Sequence, residues 1–153
     1  MASKKKPKDR LTCPCCGKSR SIDATPLLQV ETELCYKNGD PWQRLAGWSV
    51  TSARSGFLQW ACNRCIQSGR ALRGNPAVQT YCDDEPYFAY YDVTLRCHDC
   101  GQDFVFAAAE QQFWYEQLKF WVQSRPKQCV VCRRARRQKI TEQRTRLRKG
   151  DAK

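Results

Sequence analysis

Eleven cysteines in 153 residues carry most of the chemistry open to this sequence. Eight of them form four C-x-x-C pairs: Cys13/Cys16, Cys62/Cys65, Cys97/Cys100 and Cys129/Cys132. At that spacing a tight turn lets two thiolates face one ion, and four thiolates suit zinc, which is borderline soft and indifferent to d-electron geometry. In an oxidising compartment the same count would suggest disulfides. In a reducing one, thiols in spaced pairs more often hold metal. Glycine follows two of the pairs, as Gly17 and Gly101, where the turn of a zinc knuckle favours positive φ. That repetition suggests two related units.

Four pairs allow three pairings, and the one joining sequence neighbours closes the shortest loops. Cys13, Cys16, Cys62 and Cys65 would then hold one zinc ion, and Cys97, Cys100, Cys129 and Cys132 a second. The intervening 45 and 28 residues exceed the roughly 15–20 of compact motifs, so each loop must carry its own structure. Cys15 competes with Cys13 as the partner of Cys16, but adjacent ligands fit a knuckle turn poorly. Cys35 and Cys82 read most simply as small apolar core residues. His98, the single histidine, sits inside a knuckle where side chains face solvent.

Both zinc sites read as structural, because four thiolates leave no coordination position for water or substrate. No βαβ pattern surrounds a pair as a redox dithiol would require. Phosphate-loop, dinucleotide and nucleophile-elbow motifs are missing, and one histidine gives a poor acid/base repertoire. The expectation is a non-enzyme.

The elements that must position these thiols are read from periodicity and breakers. Asp83-Asp84-Glu85-Pro86 reads as a linker or exposed turn between the units. Residues 87–96 alternate and are rich in aromatic and β-branched types, and Asp103-Phe104-Val105-Phe106 is a second short run. The pair predicts a hairpin with the knuckle at its tip. Residues 107–121 favour helix, with Trp114, Leu118 and Trp121 on one face as core. Residues 27–36 alternate partly, residues 37–55 read as a loop or short hairpin, and residues 56–61 read as a strand entering the Cys62 knuckle. Residues 133–149 are good helix formers ending at Gly150, with no apolar stripe beyond Ile140 and Leu147. Such a helix has nothing to pack against within the chain and gains most when its charges meet a partner.

The fold class expected is therefore small α+β and metal-stabilised: two zinc-ribbon-like units of β-hairpin knuckles plus a C-terminal basic helix. The organisation expected is a basic tail at 1–10, a first zinc-binding unit at 11–82, a zinc-ribbon domain at 87–137 and a basic helix or tail at 138–153. No apolar run approaches the roughly 18 residues that cross a bilayer, and the basic N-terminus lacks the apolar region of a secretory signal. A cytoplasmic location is expected, without membrane partners.

The second unit resembles a known family. Tyr91-Asp92-Val93-Thr94-Leu95-Arg96-Cys97-His98-Asp99-Cys100-Gly101, then Phe104-Val105-Phe106, Glu110-Gln111 with Phe113-Trp114, and Pro126-Lys127-Gln128-Cys129-Val130-Val131-Cys132-Arg133 are similar to the probable zinc-ribbon family of small bacterial proteins. The likeness covers residues 87–137. It implies a ribbon in which Cys97, Cys100, Cys129 and Cys132 bind one zinc, and it implies no particular role. Residues 11–82 resemble no family.

Charge points to a partner. The formal net charge is +12, yet residues 1–10 carry five basic side chains against one acidic, and residues 125–153 carry twelve against two. Residues 11–124 carry ten against twelve, so the whole excess belongs to the ends. Two tetrathiolate zinc sites, each contributing −2, lower the total to about +8 and the body to about −6. Basic arms of this kind commonly bind polyanions, because each phosphate neutralised releases counterions. Arg133, Arg134, Arg136, Arg137, Lys139, Arg144, Arg146, Arg148 and Lys149 are the candidate contacts to nucleic acid, assisted by Lys4, Lys5, Lys6 and Lys8. RNA is favoured slightly over DNA, since arginine-rich segments that fold on binding recur in RNA recognition. A ribonucleoprotein is an equivalent target. The bland alternative is a solubilising tail. The other functional class is a protein-interaction adaptor, in which ribbon surfaces and exposed tryptophans such as Trp42 and Trp48 meet a protein partner.

Overall fold

The computed structural model describes residues 10–21, 53–56, 58–81 and 86–150, the last two positions without their side chains. Cys35, Cys82, Trp42, Trp48, the lysines of the N-terminal tail, the alternating run 27–36 and the acidic residues 83–85 lie outside the described residues.

The chain builds two units with the same plan. In the first, β1 (Arg10–Thr12) pairs antiparallel with β2 (Ser19–Ser21), Leu11 opposite Arg20, and the turn between them holds Cys13 and Cys16. Cys62 then caps α1 (Asn63–Gln67), in whose first turn Cys65 lies. In the second unit, β5 (Val93–Arg96) pairs with β6 (Asp103–Phe106), Leu95 opposite Phe104, around Cys97 and Cys100. Cys129 then precedes α3 (Val130–Gly150), which carries Cys132 in its first turn. Each half is a hairpin knuckle followed by a helix start. The stretch 58–61 is accordingly not a strand leading into a knuckle. The Cys62 carbonyl accepts the amides of Cys65 and Ile66, which starts a helix.

Contacts divide the chain into Met1–Asp92 with Ala107–Ser124, and Val93–Phe106 with Arg125–Lys153. The expected hairpin strand over residues 87–96 is therefore split. Residues Ala89–Tyr91 form β4, which pairs with β3 (Ala71–Arg73) in the first unit, and only β5 belongs to the knuckle. The break falls at Asp92, whose carboxylate turns aside to accept the Ala108 amide (2.9 Å) and so starts the next helix. Pro86, read as the end of an exposed linker, is fully buried.

Residues 107–121 also depart from expectation. A short helix, α2 (Ala108–Gln112), widens into a π-turn at Phe113–Gln117. The inserted residue rotates the face: Gln111, Tyr115 and Val122 are buried, while Leu118 and Trp121 are about half exposed. The 3.6-residue stripe expected through Trp114, Leu118 and Trp121 is lost for that reason and because the helix ends at Gln117, with Lys119 at φ 58°, so that Trp121 lies outside it. This segment packs with the first unit, so the loop between the pairs of the second site is shorter in effect than its 28 residues.

The first unit has a core. Leu11, Leu58, Trp60, Ala71, Phe88 and Ala89 pack with Cys13, Cys62 and Cys65. Alongside, Tyr87, Tyr90 and Tyr115 meet ring to ring at 5.1–6.4 Å between centroids. Gly74 permits the approach of β3 to the chain before β4. Its amide donates to the Phe88 carbonyl (2.9 Å), and a Cβ there would overlap the Tyr87 carbonyl oxygen. Gly74→Ala is expected to cost about 1–3 kcal/mol, because backbone must yield to backbone. A urea midpoint unchanged from wild type would show that the strands move apart freely.

One polar side chain lies deep in this core. Gln111 is 1% exposed, accepts from Gln59 Nε2 (3.0 Å) and donates to the Tyr91 carbonyl (2.7 Å). Gln59 also donates to the Ala89 carbonyl (3.0 Å), so the two amides tie β4 to α2. Gln111→Leu leaves those partners unpaired at about 1–3 kcal/mol for each buried group. Thermal unfolding of the zinc-loaded protein, followed by tryptophan fluorescence, should show the loss; an equal or higher Tm would mean the network adds nothing.

Candidate metal centres

The eight paired cysteines come together as two tetrads, Cys13/Cys16/Cys62/Cys65 and Cys97/Cys100/Cys129/Cys132, with the four sulfurs of each set within 4.8 Å of one another. A tetrahedral zinc with Zn–S bonds of about 2.3 Å separates its sulfurs by about 3.8 Å. The Cys62 and Cys65 sulfurs lie 3.6 Å apart, and those of Cys100 and Cys129 lie 3.9 Å apart. The donor set therefore fits zinc in size and in chemistry.

Local backbone geometry builds both sites in the same way. Gly17 and Gly101 take φ of 66° and 69°, and each donates its amide to the carbonyl of the first cysteine of its knuckle, Cys13 and Cys97. The Cys62 amide donates to Cys13 Sγ (3.2 Å), and the Cys129 amide donates to Cys97 Sγ (3.3 Å). Amide donors of this kind stabilise the thiolate form that binds metal. The Cys97 thiol is pulled down to about 6 by the backbone N–H groups of Cys129 and Cys100. Cys16 is pulled down to about 6, chiefly by the Lys18 amide. Others move the opposite way. Burial pushes Cys65 up, and crowding by the Cys129 and Cys100 sulfurs pushes Cys132 up. Four sulfurs so close cannot all ionise together without a cation among them, which is a second reason the tetrads fit a divalent metal.

The surroundings differ between the sites. In the first, Cys13, Cys62 and Cys65 are buried, and the Arg20 guanidinium lies beside the Cys62 and Cys16 thiolates. In the second, Cys100 is exposed and Cys129 and Cys132 are half-buried. The second knuckle is braced by the His98 amide on the Lys127 carbonyl (2.8 Å) and by Gln128 Nε2 on Asp99 Oδ2 (2.6 Å). The His98 side chain is 85% exposed, as its place in a knuckle suggests. Cys15 stays out of the tetrad, half-buried against the core.

Of the cations expected to meet nucleic acid, Arg133 is half-buried at the tetrad end of α3, and Arg134, Arg136, Arg137, Lys139, Arg144, Arg146 and Arg148 are exposed along it. Lys149 lies in its last turn.

A zinc knuckle joined to a helix whose first turn supplies the second pair of ligands is a treble clef, a zinc-binding fold. The role of each zinc is to cross-link the four thiolates and so fix the hairpin on the helix. Residues 91–141 match a family model described as a probable treble clef domain. The match covers one third of the chain, so the second unit has a family relation and the first has only the repeated geometry. No curated protein and no solved structure matches the chain. Among the described residues no helix is long and apolar enough to cross a membrane.

The sequence contained a signal for treble clef over ribbon. Glycine follows Cys16 and Cys100, the knuckle cysteines, whereas Ile66 and Arg133 follow Cys65 and Cys132, which lie in helices.

Proposed function

We propose that this protein is a non-catalytic, zinc-built cytoplasmic module that grips nucleic acid, RNA somewhat more than DNA, alone or within a ribonucleoprotein. The observation that supports this most is α3. Its 21 residues span about 31 Å, residues 134–148 are exposed throughout, and its nine cations face the single acidic side chain of Glu142. At 100° per residue, Arg133, Arg137, Arg144 and Arg148 fall within a stripe about 60° wide, which can follow a phosphate backbone. The second zinc site fixes where this arm begins, since Cys132 immediately precedes Arg133. Its net charge of −2 at the helix start also suits the positive end of the helix dipole.

The test is binding of the full-length, zinc-loaded protein to single-stranded RNA and to duplex DNA of mixed sequence across a salt series. With about six phosphates contacted, log K should fall with log salt at a slope near −5. No binding at physiological salt would end this reading.

A second reading, a protein-interaction adaptor, is favoured by a separate observation. Phe113, Leu118, Phe120 and Trp121 are 42–52% exposed in the first unit. Large apolar side chains grouped at the surface mark interaction sites. Polar replacement of Phe113 and Trp121 would then abolish a protein contact and leave nucleic-acid binding untouched.

A further inference from the structure

Beside the first tetrad lies a cleft of about 290 Å³, lined by Cys16, Cys65 and Ser68 and by four cations, Lys18, Arg20, Arg64 and Arg70. No carboxylate lines it. Among the described residues, Lys18, Arg64 and Arg70 have no acidic partner within ion-pair distance. The knuckle and β2 supply Lys18 and Arg20, while α1 and the turn after it supply Arg64 and Arg70.

Charge decides what the cleft can hold. The zinc tetrathiolate carries −2 and the four cations carry +4, so the pocket keeps a surplus of two positive charges. Arg20 is engaged with the thiolates of Cys62 and Cys16, and its charge offsets part of the tetrad. Neutralising the tetrad needs two cations, and four are present. One donor is also left over: Arg20 Nε is buried with no hydrogen-bond partner among the described residues. A buried donor of that kind calls for an acceptor. Guanidinium groups set around a concave site match the oxygens of a phosphate, which they bind through paired charge-assisted hydrogen bonds.

We infer that this cleft binds a phosphate group, supplied by a nucleic-acid backbone that α3 also holds; the inference rests on the nucleic-acid reading above. The body then contributes a fixed contact, set by the first zinc, in addition to the basic arm. Free phosphate shares the chemistry and is the competing source.

The test uses full-length protein with two zinc ions bound. Amide signals of Lys18, Ser68 and Arg70 should shift when inorganic phosphate is added at the millimolar level, and stay in place with chloride at matched ionic strength. Arg64→Gln with Arg70→Gln should abolish that response, keep both zinc ions, weaken single-stranded RNA binding and reduce the salt slope by about 0.7 for each charge removed. If phosphate shifts the cleft signals but RNA does not, the ligand is free phosphate and the backbone assignment is overturned. If phosphate leaves the signals in place and the double variant binds RNA with an unchanged slope, the cations serve only to neutralise the tetrad and the cleft proposal fails, while the α3 reading stands. Failure of the wild type to bind any nucleic acid removes that reading instead, and the phosphate response alone then decides the cleft. A double variant that loses zinc leaves the wild-type amide response as the deciding measurement.

Discussion

Replacing Cys129 with serine should lower the zinc content of the purified protein from two ions to one and unfold the knuckle and helix start of the second unit, leaving the first tetrad loaded. The reason lies in what else holds that unit together. Among its described residues only Cys97, Phe106 and Pro126 are buried, so there is almost no apolar core to fall back on. Structural zinc supplies about 10–16 kcal/mol in small zinc domains at neutral pH, and here that is most of the folding free energy of the unit. The first unit differs, since Trp60, Phe88, Tyr90 and Tyr115 are buried in it and supply an apolar core beside the tetrad. Cys62→Ser should therefore also remove one zinc, yet leave tryptophan fluorescence and a residual unfolding transition in place. Metal analysis together with alkylation of the native protein separates the outcomes. If Cys129→Ser retained two zinc ions, or lost both, the independent tetrads would be wrong.

Acid should act in the same order. A thiol whose folded pKa lies below its unfolded value adds stability that is complete above the unfolded value and lost as pH falls through the folded one. Cys97 and Cys16, both drawn down from 9.0 to about 6, place that loss between about 9 and about 6 in the metal-free thiols. The second site, with Cys100 exposed, offers the easier entry to protons and to chelators.

How much of this was legible in the sequence follows from the range of each interaction. Zinc ligands are chosen by sulfur chemistry and by a turn of four residues, so the C-x-x-C pairs, the joining of sequence neighbours and Gly17 and Gly101 could be read directly. The basic helix was legible too, because nothing competes with its propensity between Arg133 and Gly150. The path of the chain between the sites was not. Residues 87–96 alternate as one strand would, but the Asp92 carboxylate captures the Ala108 amide and divides them between two sheets. Trp114, Leu118 and Trp121 have helical spacing, but one π-turn shifts the buried face to Gln111 and Tyr115. A buried glutamine held by long-range bonds to Gln59 and to the Tyr91 carbonyl gives no periodic signal at all. Nor does the cleft, because Lys18, Arg20, Arg64 and Arg70 are brought together only when the first tetrad closes.

Neutralising α3 should have the largest effect on binding. In a variant with Arg134, Arg136, Arg137, Arg144 and Arg148 replaced by glutamine, five phosphate contacts are lost from side chains that are almost all solvent and no core. Each contact to single-stranded nucleic acid contributes about 0.7 to the salt slope, so the slope should fall from near −5 to near −1 or −2. At 0.15 M salt the same arithmetic weakens binding roughly a thousandfold, and the wild-type and variant lines should converge as salt approaches 1 M. Zinc content and the unfolding transition of the first unit should not change, because residues 134–148 are exposed and pack on nothing within their unit. Helicity should hold or rise, since the substitutions remove like-charge neighbours spaced by three and four while glutamine keeps the propensity. These readouts separate the arm from a solubilising tail: a tail loses solubility with its charge but leaves no salt-dependent binding to lose. They also separate the arm from the cleft, because the contacts of Arg64 and Arg70 would survive as the residual slope. A variant that binds RNA as the wild type does, with an unchanged slope, would transfer the whole nucleic-acid function away from α3.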